Sequence, residues 1–122
     1  MPEPVLDTTA QARVLALSVV HAAMGDVIRY ASRKIAYGIT ARSGGDKSAA
    51  ISASRRAAVH SYAWLHGWTG GRISIGDICD GIGRDVESIS LALEFKAREA
   101  RVSKRLDHIR ELAEEQFYRR AA

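Results

Sequence analysis

Residues 74–93 read SIGDICDGIGRDVESISLAL, and the caps and glycines in this stretch predict two helices joined by a tight turn. Ser74 can cap the first helix, with Asp77 three residues on as the reciprocal acid of a capping box. Gly83 can take the left-handed conformation that a sharp exit from a helix requires. Asp85 can then cap the second helix through its carboxylate. The chain is therefore expected to form helix, glycine turn and helix in succession.

Apolar residues run along one face of both predicted helices. Ile78 and Ile82 lie four residues apart, and Ile89 and Leu93 continue the stripe after the turn. This layout is a helix-turn-helix, which presents its second helix to the major groove in proteins that bind DNA. The single cysteine, Cys79, cannot form an internal disulfide and is expected to be a small buried residue of an intracellular protein.

Composition favours one helical domain. The chain has 122 residues, of which 47% are hydrophobic, and both of its prolines lie within the first four positions. We expect a single all-α domain over residues 1–122, with four to five helices, a central helix-turn-helix at about 74–95 and long terminal helices.

Two helices are expected before the central motif. The first runs from about Thr8 to about Tyr37, because apolar residues recur there at steps of three and four. A glycine-rich loop follows over 38–46, without the spacing of a Walker loop. The second helix starts near Asp46 or Ser48 and ends at Gly67.

The last helix is expected to extend from about 85 to 120, because neither glycine nor proline occurs after Gly83. A break near Ser103 is the alternative. An apolar seam lies along its second half, and such a seam must be buried against a second copy of the chain or against the first helix. We favour a homodimer. The residues expected at the dimer or partner interface are Trp68, Val102, Leu106, Ile109, Ala113 and Phe117.

Positive charge is concentrated upstream of the central motif. Residues 27–72 contain eight Lys or Arg against one Asp, whereas the rest of the chain has a net charge of −3. Such a concentration suits nucleic-acid phosphates, although a solvated basic surface is the simpler alternative. The residues expected to contact nucleic acid are Arg42, Lys47, Arg55, Arg56, Arg84, Val86, Glu87, Ser90 and Lys96.

The central stretch resembles the helix-turn-helix of bacterial and phage regulators. The positions that carry this resemblance are Ile78-Cys79, Ile82-Gly83, Arg84-Asp85 and Ile89. With Trp64-Leu65 upstream, residues 57–93 are also similar to small prophage-type regulatory proteins. The resemblance implies a DNA-binding regulator of transcription from a phage or mobile element.

The second helix departs from that pattern at the positions that would face DNA. Val86 stands where the family commonly has proline, and Ser90 stands where it has arginine. The first groove-facing residues would be Val86, Glu87, Ser90 and Leu91, and these include neither an arginine for guanine nor an amide for adenine. A helix-turn-helix that packs against a protein is therefore an open alternative.

Catalytic and metal-binding patterns are absent from the sequence. His60 and His66 are six residues apart, which does not place them together on one face of a helix. Asp77 and Asp80 are better explained as cap and surface residues. We expect no enzyme activity, no cofactor and no metal site.

The N-terminal region carries no recognisable secretory signal, and the apolar stretch Leu15 to Met24 is expected to be too short to span a membrane. These features favour a cytoplasmic protein with no membrane partner. Its first expected function is duplex-DNA binding in transcriptional control. The alternatives are a protein-interaction module, such as a phage-encoded inhibitor or adaptor for a host protein, and a helical subunit of an assembly.

Overall fold

The computed structural model describes residues 8–34, 44–69 and 73–119, and in these ranges the chain forms five α-helices. They are α1 (Thr8–Ala31), α2 (Lys47–Leu65), α3 (Ile75–Ile82), α4 (Val86–Glu99) and α5 (Ser103–Ala113). A π-helical turn over Glu114–Tyr118 continues α5. The described ranges contain no strand, so the predicted all-α class with four to five helices is confirmed.

The predicted helix-turn-helix is present with its expected caps. The Ser74 hydroxyl accepts a hydrogen bond from the Asp77 amide at 3.1 Å, at the start of α3. Gly83 ends α3 in the left-handed conformation, with φ of 70°. The Asp85 carboxylate accepts from the Ser88 amide at 2.7 Å and begins α4. Local signals in this stretch therefore determine both helix boundaries.

Helices α1 and α2 pack side by side in antiparallel directions. The Ser61 hydroxyl donates to the Asp26 carboxylate at 3.2 Å, while the end of α1 at Ala31 lies beside Ser54 of α2. The predicted start of α2 is confirmed, because Asp46 caps it by accepting from two backbone amides. This helix pair provides the surface on which the other three helices pack.

The first helix is shorter than predicted. It ends at Ala31 rather than near Tyr37, and Arg33 follows in the left-handed conformation with φ of 60°. Backbone hydrogen bonds from the Arg33 and Lys34 amides to α1 carbonyls close this end of the helix. Residues 35–43, which include the predicted phosphate contact Arg42, lie outside the described residues.

The predicted single helix from 85 to 120 is wrong, and the alternative of a break near Ser103 is confirmed. Helix α4 ends at Glu99, Arg101 takes a φ of 59°, and α5 begins at Ser103. The amides of Arg101 and Val102 bond back to α4 carbonyls across this bend. The left-handed residue reverses the chain, which brings the apolar seam of α5 onto α1 and α2.

The predicted dimer seam is buried inside the chain instead. Leu106, Ile109 and Ala113 are 6%, 1% and 0% exposed and belong to one core that draws on all five helices. The other predicted interface residues, Val102, Phe117 and Trp68, are half-buried against the same core. The fold-back alternative is therefore correct for this segment, because an intramolecular partner already covers its apolar side chains.

The first turns of α1 extend beyond the core. Val20, Met24 and Val27 are buried, as the apolar periodicity predicts. By contrast, Val14 and Leu15 are 63% and 67% exposed, because the helix reaches past the elements that cover its second half. Leu17, expected on the buried face, is also exposed.

Helix α1 contains a stretch that is long and apolar enough to cross a membrane by those two criteria. It lies within the 22 residues Ala10–Ala31, where an 18-residue window has a mean hydropathy of 1.4 and 28% of the residues in that window are buried in the fold. The apolar part of α1 is therefore longer than the stretch from Leu15 to Met24 on which the prediction of no membrane span was based. Core helices of soluble proteins meet the same criteria, and the second half of α1 supplies such a core face.

Replacement of Gly83 by alanine tests the turn. Gly83→Ala is expected to lower the free energy of unfolding by about 1–2 kcal/mol, because a side chain disfavours the left-handed conformation. Gly81→Ala is the matched control, since Gly81 is helical and has open space around its α-carbon. That substitution is expected to stabilise the fold by up to about 1 kcal/mol. Urea denaturation measures both changes, and an equal change in the free energy of unfolding for the two variants would contradict the assigned turn.

Candidate functional site

The outward face of α4 carries two large apolar side chains. Ile89 and Leu93 point inward and are 5% and 1% exposed. Leu91 and Phe95, four residues apart on the opposite face, are 59% and 57% exposed. Side chains at this spacing lie one above the other on a helix and can enter a single groove. We call Leu91 and Phe95 the outer pair of α4.

Acidic side chains accompany the outer pair. Glu87 lies one turn before Leu91, Glu94 lies between the two apolar residues along the helix, and both carboxylates are exposed. Over residues 73–99 there are six Asp or Glu against three Lys or Arg. The outer pair is therefore an apolar patch in an acidic surrounding.

The N-terminus of α4 is occupied by the protein's own carboxylate. Hydrogen bonds from Ser88 to the Asp85 side chain lower the pKa of that carboxyl, which keeps it charged at neutral pH. A helix N-terminus attracts anions such as phosphate because its free amides and dipole are positive. Asp85 and the neighbouring Glu87 offset that attraction here.

The residues predicted to face a DNA groove differ in their exposure to solvent. Glu87 is exposed, as expected, whereas Val86 and Ser90 are half-buried and Val86 packs against the core. The expectation that Val86 and Ser90 stand among the first exposed residues is therefore wrong. Both positions lie toward the buried side of α4, on the flank of the stripe formed by Ile89 and Leu93.

The predicted phosphate contacts within the described residues are all exposed, but they lie on different surfaces. Arg55 and Arg56 border a depression against the C-terminal segment, together with Leu112 and Gln116. Lys96 borders another depression, beside the middle of α1. Lys47 lies in the first turn of α2, and Arg84 lies in the turn before α4. The fold does not gather these cations around the start of α4.

Trp68 belongs to an aromatic cluster rather than to an open surface. Its ring lies 5.8 Å from Tyr62, 5.1 Å from His66 and 5.2 Å from Tyr118, measured between centroids. Burial raises the pKa of the Tyr62 phenol to about 12. Burial also lowers the pKa of the His66 imidazole, against the opposing effect of its hydrogen bond with the Tyr62 carbonyl. The packing of these rings holds the end of α2 against the C-terminal segment.

Cys79 is buried, as predicted, with 2% of its surface exposed. Desolvation, together with the carboxylates of Asp80 and Asp85, raises the pKa of its thiol. A raised pKa leaves the thiol protonated and unreactive at neutral pH. Within the ranges that the structure describes, no group of three or more His, Cys, Asp or Glu could hold a metal ion.

Sequence reasoning missed Phe95 as a functional candidate. The signal was available, because Phe95 lies four residues after Leu91 and opposite the stripe of Ile89 and Leu93. Comparison with known proteins adds no further site residues. No family model, no curated protein and no solved structure matches this chain.

The buried His66 predicts a pH dependence of stability. An unfolded histidine binds its proton with a pKa near 6.5, above that of the folded His66, so the unfolded state holds more protons as the pH falls below that value. The free energy of unfolding should therefore decrease from pH 7.5 to pH ~5.5.

Urea denaturation at both pH values measures this effect. His66→Gln should remove part of the decrease, because it removes the imidazole whose pKa burial lowers. An equal pH dependence in the wild-type protein and in His66→Gln would contradict the assignment.

Proposed function

We propose that this protein is a protein-interaction module, and that α4 is the helix that binds the partner. The observation that carries this proposal is the outer pair: Leu91 and Phe95 are more than half exposed on a helix whose opposite face is fully engaged in the core. Large apolar side chains that stand together on an otherwise charged surface are typical of binding sites.

The partner is a protein with an apolar groove bordered by basic side chains. Helices bind in such grooves through anchors spaced three or four residues apart, and Leu91 and Phe95 have this spacing. The carboxylates of Glu87 and Glu94 beside the anchors would pair with Lys or Arg at the rim of the groove. Charges at a rim mainly accelerate association and exclude wrong partners, while buried anchors supply most of the affinity.

The same surface suits DNA poorly. Exposed Glu87 and Glu94 would approach phosphates with like charge, and Leu91 and Phe95 donate no hydrogen bond to a base edge. An adaptor or inhibitor that uses a helix-turn-helix fold as a rigid support for one binding helix accounts for both the fold and its surface.

The outer pair can be tested with two matched double variants. Leu91→Ser/Phe95→Ser removes the proposed anchors, and Val14→Ser/Leu15→Ser removes a similar exposed apolar area from α1. Both variants should keep wild-type circular dichroism. In quantitative affinity capture from cells that carry the natural gene, one partner should be retained by the wild-type protein and the α1 variant and lost by the α4 variant.

Titration calorimetry with the purified partner measures how much the outer pair contributes to the affinity. Loss of the two anchors should weaken binding at least about tenfold, because central anchors dominate interface energies. Glu87→Lys/Glu94→Lys should slow association at low salt. The proposal fails if every captured protein binds the α4 variant as well as it binds the wild-type protein.

DNA binding is the second candidate, and the well-formed turn between α3 and α4 favours it. If α4 enters a groove, Glu87→Gln/Glu94→Gln should tighten duplex binding several-fold, because two charges facing the phosphates are removed. Arg55→Glu/Arg56→Glu should abolish binding if that face contacts the backbone. Mobility shifts at graded salt measure both effects, and absence of duplex binding at low salt excludes this candidate.

Homodimerisation, a cytoplasmic location and the absence of catalysis and of membrane binding stay predictions. A dimer would have to use a surface other than the α5 seam, which is buried within the chain. The exposed start of α1, with Val14 and Leu15, is the largest apolar alternative to the outer pair. The molecular mass of the purified protein in solution, measured for the wild-type protein and for Val14→Ser/Leu15→Ser, tests whether this surface forms a dimer.

A further inference from the structure

A cavity of about 400 Å³ lies at the end of the α1–α2 pair opposite the aromatic cluster. Its wall is mostly apolar and includes Tyr30 and Ala31 at the end of α1 and Ile51 near the start of α2. Ile51 is 51% exposed, which is unusual for a large aliphatic side chain beside a buried helix pair. The volume falls within the range of about 300–1,000 Å³ that small-molecule sites occupy.

Three cationic side chains converge on this apolar cavity. Arg33 and Lys34 follow α1, and Arg105 reaches it from α5. The Arg105 guanidinium donates one hydrogen bond to the Ala31 carbonyl at 3.1 Å, which fixes its position and leaves further N–H groups free. None of the three forms an ion pair within the described part of the chain, where the pairs are Asp26–Arg29 and Asp107–Arg110.

A buried hydroxyl also lines the cavity. Ser54 is 5% exposed, and its Oγ has no hydrogen-bond partner among the residues that the structure describes. Buried polar groups in folded proteins are nearly always paired, so an unpaired one at a cavity wall indicates a missing acceptor or donor. A polar group held at the cavity could supply the partner.

Arg33 and Arg101 share the left-handed backbone conformation in which glycine is the usual residue, with φ of 60° and 59°. Of the two, Arg33 lines the cavity and Arg101 does not. The two positions therefore form a matched pair that differs in its relation to the cavity.

From these observations we propose that the cavity binds a small amphipathic organic anion, with its apolar body against Tyr30 and Ile51 and its carboxylate between Arg33, Lys34 and Arg105. Guanidinium groups bind carboxylates through paired, charge-assisted hydrogen bonds. A purely apolar ligand would form no charge-assisted contact with the three cations, and a small inorganic anion would leave the apolar wall unfilled. The site is separate from the outer pair of α4, so it does not depend on the proposed protein partner.

Decanoate is the probe, with decanol as the uncharged control and inorganic phosphate as the anion that lacks an apolar body. Titration calorimetry of the full chain should show saturable binding of one decanoate. Decanol and phosphate should bind at least about tenfold more weakly, because each lacks one of the two contact types. Equal binding of decanoate and decanol, or of decanoate and phosphate, would overturn the proposal.

Two arginine-to-glycine variants separate binding from folding. Arg33→Gly and Arg101→Gly should both raise the melting temperature of the ligand-free protein, since glycine suits both left-handed positions. Only Arg33→Gly should lower decanoate affinity, by about tenfold, because it also removes a charge at the cavity. Similar affinities for the two variants would refute the assigned site.

Ser54→Ala provides an independent readout. In the ligand-free protein this substitution removes an unpaired buried hydroxyl, so the melting temperature should stay the same or rise. If the hydroxyl bonds the ligand, the increase in melting temperature that decanoate produces should be smaller in this variant than in the wild-type protein. The proposal is refuted if decanoate raises the melting temperature of Ser54→Ala as much as that of the wild-type protein and if Arg33→Gly binds decanoate with wild-type affinity.

Discussion

Burial of α5 against α1 and α2 is the interaction on which the rest of the structure depends. Ile109 and Ala113 are almost fully buried, and complete burial of an isoleucine side chain contributes about 1.5–3 kcal/mol. The bend at Arg101 makes this packing geometrically feasible, because a straight helix from α4 would carry the seam into solvent. Once α5 is docked, Arg105 reaches the end of α1, and the aromatic cluster closes the opposite end.

Docking of α5 also determines which surfaces stay open. The seam expected to join two chains is buried within one chain. The large apolar side chains that stay exposed include Leu91 and Phe95 on α4 and Val14 and Leu15 at the start of α1. Charge is divided in a related way, with carboxylates around α4 and cations around the end of α1. One small fold thus carries an exposed apolar helix face among carboxylates and an apolar cavity among cations.

Predictions succeeded where the signal is local. Ser74, Gly83 and Asp85 each act on backbone groups within a few residues, and the structure has all three as expected. The break before Ser103 was only an alternative in the sequence, because Arg101 stands where glycine usually marks such a turn. An apolar seam such as that of α5 looks the same in sequence whether a second chain or a distant helix covers it. Helical periodicity places Leu91 and Phe95 opposite Ile89 and Leu93, but the outer pair was not predicted, because its exposure depends on what the rest of the fold leaves uncovered.

The hydrogen bond between Arg105 and Ala31 joins positions 74 residues apart, so the first helix finds its final neighbour only near the end of the chain. During translation, α1 and α2 emerge before α5 exists, and their apolar faces would be exposed on the ribosome in the meantime. Contacts between distant positions slow folding and prolong exposure of aggregation-prone surface. The amides of α1 that face α5 are therefore expected to gain their full protection against hydrogen exchange only after residues 103–113 have been synthesised.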